Sequence, residues 1–278
     1  MQFTKYTGLG NDFVVLDGDT ALNVANPSAL AVRMCDRHFG VGADGLVRLL
    51  PSQTADVRMQ IINSDGSEAE MCGNASRCVA LHLFRRKQVN RKQISLETLA
   101  GIIRTEILDE PAGLVRVDMG LPRLMRGEIP MTGIRSDRAV SFPLHACGRE
   151  FVGTAVSMGN PHFVVFVENA EKVPLNEWGP ALETHAAFPR KTNVEFVQVL
   201  NETTVRMRVW ERGAGITRAC GTGACAAAVA CILNHKTADQ LTVKLDGGEL
   251  EIAWPQHASV WMTGPAAEVF TGDYLGDK

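Results

Sequence analysis

The chain resembles itself at an offset of about 148 residues, and this internal repeat limits its fold more than any other feature. The matched segments are, in pairs, Val57-Arg58-Met59 with Val205-Arg206-Met207, Met71-Cys72-Gly73 with Ala219-Cys220-Gly221, and Gly10-Asn11 with Gly159-Asn160. Their order along the chain is the same in both copies. Solenoid repeats are far shorter, with periods of about 20–50 residues. The sequence therefore predicts two copies of one domain, with a boundary near Gly120.

Each copy has mostly the pattern of β-strands. Apolar and polar residues alternate over Val57–Ile61 and over its repeat, which is typical of half-buried strands. Ile94–Ile107, with Gly101 at its centre, is predicted to be a hairpin. Ala75–Phe84 and Gly223–Leu233 are apolar on most faces, which predicts helices buried on all sides. We therefore expect an α+β fold with two pseudo-symmetric domains, each a β-barrel-like sheet around a central helix.

The composition narrows the class of protein. The chain has 278 residues, a formal net charge of -3 and 45% hydrophobic residues, so no broad positive surface predicts a nucleic acid or anionic membrane as partner. The longest apolar run, 224–233, is too short to span a bilayer. Seven cysteines, an odd number, favour a reducing cytoplasm, and the first residues suggest no signal peptide. A homodimer is possible, since nothing in the sequence bears on the oligomeric state.

Cys72 and Cys220 each stand immediately before one of the predicted helices, in the matched settings Cys-Gly-Asn-Ala and Cys-Gly-Thr-Gly. A helix start offers unpaired N–H groups and partial positive charge, both of which favour an anion. A cysteine at this position can have a lowered pKa and react as a thiolate. The same N–H groups can bind a substrate carboxylate. Two such thiols are therefore candidates for an acid and a base that act on opposite faces of one carbon.

Other residues have weaker signals and a plain structural interpretation. Cysteine is commonly an inert core residue, which is how we interpret the remaining five cysteines. His162, Glu211 and Arg212 would each ordinarily be core or surface residues. Together with the asparagines at matching places in the two copies, Arg212 is a candidate clamp for a carboxylate. Gly40–Gly45 matches a dinucleotide-binding pattern, which must follow a strand and begin a helix. Here the pattern precedes a predicted strand instead, so we predict a turn. No zinc-binding pattern is present, so no metal is expected.

Several longer motifs together resemble the diaminopimelate epimerase family of amino-acid racemases, which use no pyridoxal phosphate. The motifs that carry the resemblance are Gly8-Leu9-Gly10-Asn11-Asp12-Phe13, Asn63-Ser64-Asp65-Gly66-Ser67, Glu70-Met71-Cys72-Gly73-Asn74, Ser157-Met158-Gly159-Asn160-Pro161-His162, Thr192-Asn193-Val194, Glu211-Arg212-Gly213 and Ala219-Cys220-Gly221-Thr222-Gly223. They extend over nearly the whole chain.

The resemblance implies a domain of residues 1–119 plus 265–278, a second of 120–264, and an active site in the cleft between them. It implies Cys72 and Cys220 as catalytic acid and base, assisted by His162 and Glu211, without a cofactor. The substrate would be a small amino acid, LL-2,6-diaminoheptanedioate, converted to the meso isomer for lysine and cell-wall synthesis. The implied substrate-binding residues are Gly73, Asn74, Gly221 and Thr222 at the reacting carboxylate, and Asn11, Asn63, Asn160, Asn193 and Arg212 at the distal end.

The chain departs from the family pattern at two places. Ala75-Ser76 stands where members commonly have Gly-Ala, and Gly45 stands where some members have Gln. Both departures leave the choice of substrate more open than the reaction. The alternatives are a cofactor-independent racemase of another amino acid, such as histidine or proline, a thiol redox or metal-binding protein, and a binding module without catalysis.

Overall fold

A computed structural model describes residues 1–255 and 258–276 of the chain. The strands are β1 (Gln2–Gly8), β2 (Asn11–Leu16), β3 (Gly45–Leu50), β4 (Val57–Asn63), β5 (Glu68–Ala69), β6 (Gln93–Thr98), β7 (Gly101–Asp109), β8 (Leu114–Asp118), β9 (Phe142–Ala146), β10 (Arg149–Ser157), β11 (Pro161–Phe166), β12 (Asn193–Asn201), β13 (Thr204–Glu211), β14 (Gly215–Ile216), β15 (Gln240–Leu245), β16 (Gly248–Ala253), β17 (Trp261–Pro265) and β18 (Ala267–Asp273). The helices are α1 (Gly18–Leu22), α2 (Pro27–Cys35), α3 (Gly73–Arg85), α4 (Leu175–Glu183) and α5 (Gly221–Leu233), and Ala170–Lys172 forms a 3-10 turn. Within the described ranges, no helix is both long and apolar enough to cross a membrane.

The chain divides into two compact units, one of Met1–Asp118 with the chain from Thr263 onward, and one of Met119–Met262. In the first unit the strands pair in the order β18-β1-β2-β3-β4-β6-β7-β8. In the second they pair in the order β9-β10-β11-β12-β13-β15-β16. The first six pairings of both series are antiparallel, antiparallel, parallel, antiparallel, parallel and antiparallel. The sequence repeat is thus a repeat of topology, and the sheet-dominated α+β fold is confirmed.

Each unit contains one long buried helix at the same place in its topology. Helix α3 lies between β5 and β6, and α5 lies between β14 and β15. Both helices have 13 residues, and almost all of their side chains are buried. They also end alike, because Lys87 and His235 both adopt a left-handed backbone (φ 55° and 54°) two residues after the last helical residue. The N–H groups of these two residues donate to the carbonyl oxygens of Phe84 and Ile232, which closes each helix.

The helices begin two residues earlier than the apolar pattern alone suggests, at Gly73 and Gly221. Small residues before the apolar run can enter the helix because the preceding cysteine provides the extended N-cap conformation. The predicted hairpin is present as β6 and β7. Gly40–Asp44 forms a bend that leads into β3, which begins at Gly45, and Gly42 has a left-handed φ of 77° there.

Candidate active site

Cys72 and Cys220 are the N-cap residues of the two buried helices. Both have extended backbones, with φ and ψ of -143° and 115° at Cys72 and of -126° and 106° at Cys220. The Cys220 sulfur accepts a hydrogen bond from the N–H of Gly223 at 3.3 Å, whereas the Cys72 side chain makes no such cap bond. The N–H groups of Gly73, Asn74, Gly221 and Thr222 belong to first turns, where no intrahelical acceptor exists. Each unit therefore presents a thiol and anion-binding N–H groups together.

An asparagine from the neighbouring strand contacts the first turn of each helix. In the first unit, the amide nitrogen of Asn74 donates to Oδ1 of Asn11 at 2.5 Å. In the second, the amide nitrogen of Asn160 lies 3.3 Å from Oγ1 of Thr222, to which it donates. Asn11 and Asn160 occupy matching places before or at the start of β2 and β11. The structure thus brings four of the predicted site residues into two contacts at matching positions, with the donor on the helix in the first unit and on the asparagine before β11 in the second.

The surroundings of Cys220 do not favour its thiolate. Burial raises its pKa well above the ordinary value, and the nearby Glu211 and Glu195 carboxylates raise it further. The hydroxyl of Thr222 and the N–H of Gly223 act in the opposite direction but do not outweigh these effects. The expectation of a lowered pKa at the helix start is therefore wrong for Cys220, because desolvation and two negative charges exceed the contribution of the helix terminus.

His162 lies on β11 and is fully buried together with Glu195 of the adjacent strand β12. The His162 Nδ1 atom lies 2.7 Å from Oε1 of Glu195, and Nε2 lies 3.0 Å from Oδ1 of Asn160. Burial raises the pKa of Glu195, although the neighbouring imidazole opposes the shift. His162 is thus placed beside the Asn160–Thr222 contact, in the same unit as Cys220.

Glu211 and Arg212 lie at the end of β13. Glu211 accepts a hydrogen bond from the hydroxyl of Thr217, and its charge acts on Cys220. Arg212 is exposed, and one of its guanidinium nitrogens donates to the carbonyl oxygen of Arg190 at 3.1 Å. The Asn193 side chain is buried, donates to the carbonyl of Pro161 and accepts from the N–H of Arg212, both at 2.9 Å. Asn193 therefore fixes the backbone beside Arg212.

In the first unit, Asn63 ends β4 and donates to Oγ of Ser67 at 3.0 Å. A charged cluster lies beside Asn11, whose amide nitrogen donates to Oδ2 of Asp44. Asp12 in this cluster pairs with Lys5 at 2.6 Å and with Arg37 at 2.7 Å. Burial alone would raise the pKa of Asp12, but the hydrogen bonds from Arg37 and Lys5 lower it. This cluster holds the start of β2 next to the first turn of α3.

Glu195 is the polar residue that the sequence analysis missed. It is fully buried, and it stands in the run Val194-Glu195-Phe196-Val197, where it is the single charged residue. A charged residue inside such an apolar run indicates a buried group with a specific partner, because charged groups are rarely buried without one. The repeat strengthens this indication, because the matching residue of the first copy, 148 positions earlier, is the apolar Val47.

Solved structures with this fold belong to several kinds of protein. A Bacillus anthracis phenazine biosynthesis protein of the PhzF family superimposes with a TM-score of 0.71 at 17% identity, covering 99% of both chains. A probable proline racemase from Agrobacterium radiobacter superimposes with a TM-score of 0.67 at 18% identity, covering 99% of this chain and 93% of that one. At these identities the likeness concerns the fold alone.

Curated relatives are far closer in sequence. The diaminopimelate epimerase of Pelotomaculum thermopropionicum is 57% identical over 277 residues, and that of Desulforudis audaxviator is 56% identical over 277 residues, with 99% of each chain covered. The family model described as diaminopimelate epimerase matches residues 3–125 and 154–269. The two cysteine sites, each an N-cap cysteine with the first-turn and strand residues near it, lie within the matched ranges. The chain belongs to the diaminopimelate epimerase family and is an isomerase.

Proposed function

We propose that this isomerase converts LL-2,6-diaminoheptanedioate to the meso isomer, with Cys72 and Cys220 as the acid–base pair at one α-carbon. The observation that carries the proposal is the duplicated arrangement of a cysteine N-cap, first-turn N–H groups and a neighbouring asparagine. Relatives that are more than half identical over nearly the full chain bear the name of this activity.

The chemical difficulty is the weak acidity of the α-proton. One sulfur, as thiolate, takes this proton while the electron pair moves into the substrate carboxylate. The other sulfur, as thiol, then donates its proton to the opposite face of the same carbon, so the two thiols exchange protonation states in one turnover. N–H groups of Gly73, Asn74, Gly221 and Thr222 would bind the carboxylate as its charge increases. Preorganised donors of this kind contribute about 3 kcal/mol each in other enzymes.

The raised pKa of Cys220 supports this sulfur as the protonated partner before the substrate binds. Two strongly interacting thiols titrate as a pair, so a single shared proton describes the working state. In this assignment Cys72 removes the first proton and Cys220 delivers the second. Glu211 and His162 would then adjust the proton affinity of Cys220 rather than reach the α-carbon.

The distal end of the substrate requires groups for a second amino acid head. Arg212 is exposed and positively charged, which suits the distal carboxylate. Asn11, Asn63 and Asn160 would complete the polar surroundings. Asn193 would act through the backbone, because both ends of its amide already hold Pro161 and Arg212. The product would serve lysine and peptidoglycan precursor synthesis in the cytoplasm.

The deciding experiment is incubation with LL-diaminoheptanedioate in heavy water, with α-deuteration and the isomer ratio followed by NMR. We expect deuterium at the α-carbon and a mixture of LL and meso isomers. Cys72→Ser and Cys220→Ser should each lower kcat/KM by about 1000-fold, as expected when a general acid or base is lost. Cys147→Ser is the matched control, because Cys147 is exposed and lies outside the helix starts.

Two results would contradict the proposal. Rapid racemisation of proline or histidine without any conversion of LL-diaminoheptanedioate would overturn the substrate assignment. Serine variants that retain wild-type α-deuteration would overturn the acid–base role of the cysteines.

A further inference from the structure

Glu195 is a costly residue for the second unit to bury. Its carboxylate and the His162 ring are both completely inaccessible to solvent. A buried ion pair seldom stabilises a protein more than apolar residues of similar size would. The first unit shows that the fold does not need the pair. There Phe13 and Val47, both buried, hold the matching positions, because β2 pairs with β3 in the register in which β11 pairs with β12.

The buried pair connects to Cys220 through a chain of hydrogen bonds. Glu195 Oε1 lies 2.7 Å from His162 Nδ1, and His162 Nε2 lies 3.0 Å from Asn160 Oδ1. The Asn160 amide nitrogen then donates to Oγ1 of Thr222 at 3.3 Å, and Oγ1 lies 3.6 Å from the Cys220 sulfur. Since Asn160 Oδ1 can only accept, Nε2 of His162 carries a proton. The bond between Nδ1 and Glu195 therefore holds one proton shared by the pair.

A second contact leads from Glu195 directly to the helix start. A Cβ atom placed on Gly223 would lie 2.8 Å from Glu195 Oε1 and 3.0 Å from the Cys220 sulfur. Only the small size of Gly223 lets the carboxylate approach the first turn of α5 this closely. A negative charge at a helix N-terminus is electrostatically favourable, which helps to hold the carboxylate there.

We propose that Glu195 is a positioning residue for the reaction, which holds His162 and, through it, Asn160 and Thr222 beside Cys220. This inference rests on the proposed function and deepens it, because it explains how the site of Cys220 differs from the site of Cys72. Glu195 itself does not contact the reacting atoms.

Three ionisable groups from separate elements determine the electrostatics around the Glu195 carboxylate. They are His162 on β11, Glu211 on β13 and Cys220 at the start of α5. The negative charges of Glu211 and Glu195 both raise the pKa of Cys220, after the larger effect of burial. Removing the charge of Glu195 should therefore lower the pKa of Cys220, which moves the alkaline limb of the pH–rate profile to lower pH.

The test compares Glu195→Gln, Glu195→Asp, His162→Asn and the double variant Glu195→Gln/His162→Asn. Gln keeps the size of the Glu195 side chain but removes its charge, whereas Asp keeps the charge on a side chain that is one methylene shorter. We expect Glu195→Gln to lower kcat by about 10- to 100-fold, with little change in KM, because misplacement of a catalytic group by about 1 Å has effects of this size. Its alkaline limb should move to lower pH, whereas Glu195→Asp should keep the wild-type limb and lose kcat.

The double variant tests whether Glu195 acts through His162. The loss in the double variant should be no greater than in the more damaged single variant, since residues of one network are non-additive. Glu249→Gln, at an exposed carboxylate, is the control for loss of a charge alone. Losses that multiply in the double variant, or an unshifted alkaline limb in Glu195→Gln with full folding by circular dichroism, would overturn the proposal.

A measurement without substrate separates this inference from the proposed function. In protein labelled with 15N-histidine, the ring signals of His162, identified by their absence from His162→Asn, should change in Glu195→Gln. If they change while the wild-type protein leaves LL-diaminoheptanedioate untouched, the activity assignment fails and the contact between Glu195 and His162 stands. Unchanged ring signals would contradict the role of Glu195 whatever the substrate. If Glu195→Gln does not fold, Glu195→Asp supplies the same comparison of ring signals.

Discussion

The two cysteine sites share one backbone frame but differ in polarity. Both present a cysteine N-cap at the start of a buried helix, yet Cys72 is half-buried and Cys220 is buried. The second unit has a buried histidine and two carboxylates near Cys220. The first unit has Phe13, Val47 and Asn63 at the matching places. A duplicated frame can therefore place two cysteines in surroundings that differ in burial and in charge. Under the proposed mechanism, this difference would suit one sulfur to act as the acid and the other as the base.

The first unit concentrates its charges elsewhere. Lys5, Asp12, Arg37 and Asp44 form a connected cluster at the start of β2, on the side of Asn11. In the second unit the residue that matches Asp12 is Pro161, whose apolar ring cannot form ion pairs. The first unit thus uses ion pairs to hold a strand, and the second uses a buried ion pair next to a thiol.

Among changes that leave both cysteines in place, the largest effect on kcat/KM should come from one that makes the two helix starts alike. Gly223 and Ala75 occupy matching positions in the first turns of α5 and α3. Gly223→Ala would force a methyl group against Glu195 and the Cys220 sulfur, so either the carboxylate or the thiol must move. We expect kcat/KM to fall by about 100-fold and the free energy of unfolding by about 1–3 kcal/mol, as measured by steady-state kinetics and urea denaturation.

The matched variant is Ala75→Gly in the first unit. It removes a buried methyl group and should lower the free energy of unfolding by about 1 kcal/mol, with a smaller change in kcat/KM than Gly223→Ala. Equal losses of kcat/KM in the two variants would contradict the proposed difference between the two cysteine sites.

A smaller effect, on the pKa of Cys220, should follow from changing the polar residues that end β13 and β4. Glu211→Gln removes a negative charge that raises the pKa of Cys220, so the pKa of this thiol should fall. The rate of alkylation of Cys220 by iodoacetamide, followed by mass spectrometry from pH 6 to 10, should then rise at a lower pH than in the wild-type protein. Asn63→Asp places a carboxylate at the matching position of the first unit and should have no such effect on Cys220. A Cys220 inflection that does not move in Glu211→Gln would contradict this view of the electrostatics.

The smallest effect on activity should come from the charged cluster, whose role is stability. The folded-state pKa of Asp12 is lowered, so its ion pairs contribute stability above the unfolded pKa of about 4 and lose it as the pH falls through the folded pKa. Asp12→Asn should lower the free energy of unfolding by about 2 kcal/mol at pH 7. The difference from the wild-type protein should shrink below about pH 4. Urea denaturation from pH 3 to 8 measures it, with Glu249→Gln as a control that should show no such dependence. A difference that is constant over this range would exclude the charge of Asp12 as its cause.

Much of the fold could be predicted because each element has a local sequence pattern and the patterns recur at a nearly constant offset. The alternating pattern that ends at Asn63 and Glu211, the two buried helices and the turn at Gly40–Gly45 all depend on neighbouring residues. The fold class followed from these elements. The start of each helix was harder to place, because Gly73 and Gly221 enter the helix only through the N-cap geometry of the preceding cysteine.

The sequence by itself determined the duplication, the two cysteines at helix starts and the family of the chain. These features are encoded by spacing and by residue type, which do not require knowledge of distant contacts. Only the tertiary structure showed that Glu195 meets His162, 33 residues away, and that burial raises the pKa of Cys220 instead of lowering it. Proton affinity depends on the charges and the solvent that surround a group, and residues from three separate strands and a helix supply them here. The matched cysteines are equal in sequence, and the packing around them makes them different.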